Sequence, residues 1–432
     1  MATTAPEHTA LEEAAEAIRR RGFVGGVQTL GEVGWQRLRS GELGALPVIV
    51  ALAAIWTYFQ LKQDVFLSAT NLSNLSVQIG VTGTIAIGIV LVLLLGEIDL
   101  SVGAVALLCS ALIGWSTFNH SWAWYWAIAF SVASGAAIGA VQGFWFARIG
   151  VPSFVVTLAG LLGWQGVQQK VLGVNGTINV FESHITAVAD THLPRTWGWI
   201  LGIAAAGLYA LSRFNATVRR RRAGLPVAPL VVVVFRTVVV AAISLLTVAI
   251  FNGTLNSFWF FGNNPLAPGN RGVPTTALIL LGLTIFFAWV MTRTKFGRYV
   301  YAVGGNAEAA RRAGINVALI RIVVFSLAGF TAGIGGWIQT ARLNAASQAI
   351  QPGQVTLEAI AAAVIGGTSL FGGRGTVWAA LLGALVIGSV GNGLDLIGQS
   401  PAVKLIVEGG ILLLAITVDA IARRGRAAAG RV

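Results

Sequence analysis

Residues 78–118 read QIGVTGTIAIGIVLVLLLGEIDLSVGAVALLCSALIGWSTF. Two apolar runs, 78–95 and 101–118, stand almost end to end, each of the length that crosses a hydrocarbon layer. Between them GEIDLSVG, Gly96–Gly103, places Glu97 and Asp99 where almost no loop separates the runs. Carboxylates are expensive in hydrocarbon, so here they mark a pathway or a break in a helix. Glycine on both sides lets the backbone turn, and Ser101 suits the cap of the second run. One reading is a tight turn with its acids in water. The preferred one is a discontinuous helix whose Glu97, Asp99 and Ser101 line a permeation path.

The same pattern extends outward along the chain. Of 432 residues, 56% are hydrophobic and 10% charged, and the mean hydropathy is +0.77. Apolar runs recur at 45–61, 78–95, 101–118, 122–146, 151–173, 197–212, 228–250, 274–292, 319–340, 355–371, 376–397 and 403–421. Some are short enough to be half-spans. They lack the polar–apolar alternation of a membrane barrel. The expected fold is an all-α polytopic membrane protein of about 10–12 transmembrane helices, some discontinuous, in two loosely related halves. Residues 1–44 would form a cytoplasmic N-terminal segment, 45–421 a single transmembrane domain and 422–432 a basic cytoplasmic tail. Gly135, Gly139 and Gly143 form one ladder of small positions, and Gly329 and Gly333 another, which suits helices in close contact.

Charge sets the orientation. With the N-terminus in the cytoplasm, 22 of the 29 Lys and Arg fall inside, among them Arg19–Arg21, Arg148, Arg219–Arg222, Arg293, Arg311, Arg312, Arg321 and Arg374. Lys62, Lys170, Arg195, Arg271, Arg342 and Lys404 fall outside, and Arg236 lies within a span. This asymmetry agrees with an even number of crossings and two cytoplasmic termini. The net charge of +13 therefore reflects topology and contact with anionic membrane lipid, and calls for no nucleic acid. The single cysteine, Cys109, allows no intrachain disulfide, and the four histidines show no metal-ligand spacing. No signal peptide is visible. Leu11, Ala15 and Ile18 precede Arg19–Arg21 at helical spacing, which fits a helix on the membrane surface or a mobile tail.

A polar stretch, GRYVYAVGGNAEAARRAGI (Gly297–Ile315), separates two late spans. Asn306 suits an N-cap. Glu308 then sits near the positive end of the helix dipole, and Arg311 and Arg312 near the negative end. Gly314 suits the left-handed residue that ends the helix. Ala309, Ala310 and Ala313 give it a small, flat face. So short a helix is unstable alone, and its face suits a groove in a partner; the bland alternative is a basic loop. A second glycine-rich interruption, Gly366-Gly367-Thr368-Ser369-Leu370-Phe371-Gly372-Gly373-Arg374-Gly375, matches that at Gly96–Gly103 and places Gly366, Gly367, Thr368 and Ser369 on the same path. No Gly-Lys-Ser/Thr occurs, so the chain has no P-loop.

GEIDLSVG and GRYVYAVGGNAEAARRAGI, with VPSFVVTLAG (Val151–Gly160) and AAAVIGGTSLFGGRGT (Ala361–Thr376), strongly resemble the permease subunits of bacterial ABC sugar importers, the ribose/xylose/arabinose/galactose group. The resemblance covers roughly residues 75–420, and an added pair of spans near 197–250 looks most like the xylose-type permeases. It implies a non-enzymatic membrane subunit that passes a monosaccharide, a pentose such as xylose, through the bacterial inner membrane. The implied partners are a second permease copy, a separate ABC ATPase and a periplasmic or extracellular sugar-binding protein. It also implies that Gly297, Arg298, Gly304, Asn306, Glu308, Ala309, Ala310, Ala313 and Gly314 belong to the coupling element that meets the ATPase. No cofactor or metal is expected. A neutral cargo wants hydroxyl, amide and aromatic partners, for which Asn71, Asn74, Gln78, Gln142 and Gln165 are candidates. The alternative is an ion-coupled secondary transporter of a small neutral solute, with Glu97, Asp99, Glu358, Asp395 and Glu408 as its relay, although Lys404 is spaced to pair with Glu408. A membrane-embedded enzyme would want an acid/base cluster, and only Glu97 and Asp99 approach one.

Overall fold

The structure, a computed structural model, describes residues 46–225, 227, 230–254 and 271–428. The N-terminal segment 1–44 and residues 429–432 of the tail lie outside the described residues. The chain is an all-α polytopic membrane protein, and each of the twelve apolar runs falls on a helix. In chain order the helices are α1 (Leu46–Lys62), α2 (Ala69–Leu94), α3 (Val102–Gly114), α4 (Trp124–Phe144), α5 (Ser153–Leu172), α6 (Ser183–Asp190), α7 (Arg195–Arg222), α8 (Leu230–Phe251), α9 (Thr275–Arg293), α10 (Lys295–Gly305), α11 (Ala307–Arg312), α12 (Val317–Leu343), α13 (Pro352–Ile365), α14 (Trp378–Leu396) and α15 (Pro401–Ala428). One wide π-helical turn extends α3 to Asn119 and another extends α4 to Ile149. Among the described residues, seven helices are long and apolar enough to cross a bilayer, while α1 and α13 are shorter apolar helices.

Several boundaries differ from those read off the runs; helix α13, for one, stops at Ile365, where the glycine-rich interruption begins, and not at 371. Helix α2 starts at Ala69, well before residue 78, because Ser68 Oγ accepts from Asn71 N at 3.3 Å and caps it there. Helix α7 runs past 212 through its terminal arginines to Arg222. Helix α15 continues to Ala428, so the expected tail, over its described residues 422–428, runs on from the last span as one helix.

Helix α12 is the central element, packed against α2, α3 and α4. The two glycine ladders meet one another. A Cβ at Gly135 would stand 2.4 Å from Gly329 O, and one at Gly329 would stand 2.0 Å from Gly135 O. Gly139 faces Phe325 O just as closely, at 2.1 Å. Backbones this close gain dispersion contacts that lipid tails cannot offer. The most deeply buried span is α2, clasped by α12, α13 and α14. Some interior polar groups pair across helices: Trp56 Nε1 donates to Ser389 Oγ at 2.9 Å, and Ser110 Oγ meets Thr340 Oγ1 at 2.7 Å.

Helix directions define two ends. At one, two short antiparallel pairs close the loops: β1 (Thr177–Asn179) with β4 (Ala345–Ser347), and β2 (His192–Leu193) with β3 (Val273–Pro274). The other gathers the ends of α2, α9 and α13, the starts of α12 and α14, and the elements α10 and α11. It carries Arg293, Arg298, Arg311, Arg312, Arg321 and Arg374, and is called the basic end below.

Candidate functional site

At the basic end α2 stops at Leu94, and the chain turns through Gly96, whose φ of +78° suits glycine. Glu97 then meets Arg321 from the second turn of α12, with Nη2 to Oε1 at 3.0 Å, and accepts from Ser153 Oγ at 2.7 Å. The Arg321 guanidinium also lies over the Phe146 ring, 4.5 Å from its centroid. Asp99 is buried, and its Oδ1 accepts from Ser101 N at 2.8 Å and from Ser101 Oγ at 2.6 Å. The cap of α3 is therefore the Asp99 carboxylate; the Ser101 side chain, expected to cap, makes no cap bond. The Thr356 hydroxyl in α13 accepts from Gly103 N at 3.0 Å and donates to Leu100 O at 3.2 Å. The N-terminal ends of α3 and α13 thus meet where Gly103 leaves room: a Cβ there would lie 2.3 Å from Pro352 O.

The interruption at 366–375 comes to the same place. Gly367, Gly372, Gly373 and Gly375 all have positive φ, and Gly373 N donates to Leu94 O at 2.9 Å. Gly372 packs on Gly96, where an added Cβ would approach Gly96 N to 2.8 Å. The two interruptions touch, as their matching pattern suggests, and both lie where helices end. Thr368 is buried in this seam, Gly366 packs on Ala379 O, and Ser369 N donates to Arg374 O.

The third feature is the pair α10–α11. Thr294 caps α10, accepting from Gly297 N at 3.2 Å. Asn306 caps α11, accepting from Ala309 N at 2.9 Å. The helix closes with Gly314 N to Arg311 O and Ile315 N to Ala310 O, and Gly314 has φ +82°. This is the Schellman closure, in which both terminal carbonyls are satisfied. Glu308 pairs with Arg311 at 3.0 Å and Arg312 at 3.4 Å, all exposed. The three alanines do not share one free face. Ala310 is buried in the chain's own core, while Ala309 and Ala313 are exposed. Gly297 and Gly304 are packing positions: a Cβ at Gly304 would stand 1.8 Å from Leu94 O, and one at Gly297 2.1 Å from Met291 O. Arg298 is exposed beside them. Tyr301 Oη donates to Gly375 O at 2.9 Å, so this element rests directly on the glycine seam.

Other expected residues separate. Asn71 is buried and spends its amide on Phe66 O and Asn392 Oδ1 at 2.7 and 2.8 Å, a structural role. Gln142 lies 2.9 Å from Ser101 Oγ. Asn74 is exposed, and Gln78 and Gln165 are half-buried. The acids of the ion-coupled alternative split into two groups: Glu97 and Asp99 at the basic end, and Glu358, Asp395 and Glu408 near enough to feel one another's charge, together with Arg342 and Lys404. Besides the partners of Glu97 and Asp99, Glu358 accepts from Gln354, and Lys404 pairs with Asp395 and not with Glu408. Sequence reading missed Arg321, Ser153 and Thr356 as partners of the break; an arginine at the mouth of an apolar run was the available signal. Among the described residues no group of three or more His, Cys, Asp or Glu could hold a metal ion.

The chain is similar to known transport permeases along most of its length. A family model described as "Branched-chain amino acid transport system / permease component" matches residues 71–195 and 188–416. The xylose transport system permease protein of Escherichia coli (strain K12) is 36% identical over 402 residues, covering 90% of this chain and 95% of that protein. The ribose import permease protein of the same strain is 32% identical over 372 residues, covering 86% and 92%. The fructose import permease protein of Rhizobium meliloti is 29% identical over 377 residues, covering 87% and 84%. No solved structure matches.

Proposed function

The chain belongs to the permease-component family of branched-chain amino acid transport systems, and on that premise we propose that it is the membrane-spanning subunit of an ATP-driven importer that carries a monosaccharide, a pentose such as xylose, into the cell. The observation that carries this reading is the likeness to a xylose transport permease along nearly the whole chain. The absence of a P-loop fits ATP hydrolysis in a separate ATPase subunit. A sugar-binding protein outside the membrane delivers the cargo, and a second copy of the permease completes the path.

The basic end faces the cytoplasm of a bacterial inner membrane, with both termini on that side. There the ATPase meets α11 through Asn306, Glu308, Ala309, Ala313 and Gly314, with Arg298 beside them. Gly297, Gly304 and Ala310 hold that element against the body. Because Tyr301 bonds to the 366–375 seam and the seam bonds to Leu94, a push on α11 is passed straight to the ends of α2 and α13. Glu97, Asp99 and Ser101, with Gly366–Ser369, form the inner mouth of the path in this reading. Paired as they are within the chain, they set its shape and leave a neutral cargo free of strong counter-charges.

The test is reconstitution. Proteoliposomes holding the permease, its ATPase and the binding protein should accumulate labelled xylose only with ATP inside, and should continue when the proton gradient is collapsed. Accumulation by the permease alone would overturn the reading.

A further inference from the structure

Helices α7 and α8 form an antiparallel hairpin at the margin of the molecule, and α8 is almost wholly unburied. Its register is fixed at the strand-paired end. Asn252 Nδ2 donates to Arg195 O at 3.3 Å, and Ser244 Oγ donates to Gly202 O at 2.9 Å. Eleven residues on from Gly202 stands Arg213, and eleven back from Ser244 stands residue 233. Arg236 is therefore within about one helical turn, ~5 Å along the axis, of the level of Arg213. Both arginines are exposed. Arg236 has no hydrogen bond or ion pair among the described residues, and Arg213 has only the Tyr209 ring, 5.2 Å from its guanidinium carbon.

The hairpin itself supplies no counter-ion: from Thr191 to Ala307 the sequence contains no Asp or Glu. The neighbouring outer positions are apolar and exposed, among them Leu208, Leu211, Phe214, Val234, Phe235 and Val238. Two like charges at one level of an apolar hairpin repel each other, and neither has a carboxylate on the hairpin to offset its loss of hydration. An anion between them removes both penalties. The long side chains reach from the span toward the headgroup layer, and Arg219–Arg222 continue the positive field to the end of α7.

We propose that Arg213 and Arg236, backed by Arg219–Arg222, form a binding site for the phosphate headgroup of an anionic phospholipid. The apolar residues around the pair receive the acyl chains, and the guanidinium groups take the phosphate oxygens in charge-assisted hydrogen bonds. The occupant is a lipid because the hairpin presents this face sideways, on a span built to lie in hydrocarbon.

The test uses the purified full chain in neutral detergent, titrated with phosphatidylglycerol or phosphatidylcholine and read by native mass spectrometry. The wild type should bind phosphatidylglycerol at least tenfold more tightly than phosphatidylcholine. The double variant Arg213→Gln/Arg236→Gln should lose at least fivefold of that affinity, with helix content and thermal midpoint unchanged. Arg293→Gln, a basic residue at the same end outside the hairpin, should lose none. Equal binding of the two lipids by the wild type, or equal losses in the double variant and the control, would overturn the proposal. So would a double variant that keeps its phosphatidylglycerol but no longer co-purifies with the ATPase, since the arginines would then serve an acidic protein surface.

Discussion

The break at Leu95–Ser101 and the capped element at Asn306–Gly314 both interrupt apolar sequence with charge, and they resolve it in opposite ways. In the first, Glu97 is closed off by Arg321 and Ser153, and Asp99 is spent on the first turn of α3. In the second, Glu308, Arg311 and Arg312 answer one another on the surface, and the helix that carries them is capped at both ends. Charge satisfied inside a chain is architecture. Charge arranged on a locally finished, outward-facing helix is a surface. The glycine seam at 366–375 touches the break at Gly96 and, on the other side, Tyr301, Gly304 and Gly305 of α10, the helix that leads into the capped element, so the two regions are linked through α10.

The sharpest way to break this contrast is at the joint between them. Gly304→Ala should have the largest effect on folding, because its Cβ would fall 1.8 Å from Leu94 O, which cannot move without unwinding the end of α2. A destabilisation of about 3 kcal/mol is expected, seen as loss of the monodisperse peak in size-exclusion chromatography. Ala310→Glu comes next, at about 3 kcal/mol or a little less, because it places an unpaired carboxylate in the core; a lowered thermal midpoint checks it. Asp99→Ala removes the cap of α3 and should lower stability by about 1–2 kcal/mol, whereas Asp99→Asn should recover part of that loss. Glu308→Ala removes only exposed pairs and should change stability by under about 0.5 kcal/mol. A thermal midpoint lowered as much by Glu308→Ala as by Asp99→Ala would erase the distinction between the two regions.

What sequence alone made legible follows from the range of the forces involved. The twelve apolar runs, the glycine ladders and the caps at Asn306 and Gly314 rest on hydropathy, residue size and contacts a few positions apart; each run falls on a helix, seven of which among the described residues are long and apolar enough to cross a bilayer, and the ladders and caps are present. The inward side of Ala310 did not show, because an alanine in a polar helix carries no sign of which side is covered. Nor did the Glu97–Arg321 pair, whose members are separated by 224 positions. Ser101 was the natural cap by residue type, but Asp99, two residues earlier, takes the Ser101 N–H and hydroxyl, and the Gly103 N–H goes to Thr356 of α13. Lys404 turned from Glu408 on its own helix to Asp395 on α14 because a neighbouring helix brings a closer carboxylate.

The central claim is that α11 is a surface made for the ATPase, and Ala309 and Ala313 test it most directly because they are exposed and carry no packing. Ala309→Glu and Ala313→Glu, measured for retention of the ATPase on tagged permease beside the thermal midpoint, should leave the midpoint within error of the wild type and reduce retained ATPase at least tenfold, with xylose uptake lost in parallel. Full retention of the ATPase and wild-type uptake in both variants would contradict the account and leave residues 306–314 as a well-capped loop with no partner.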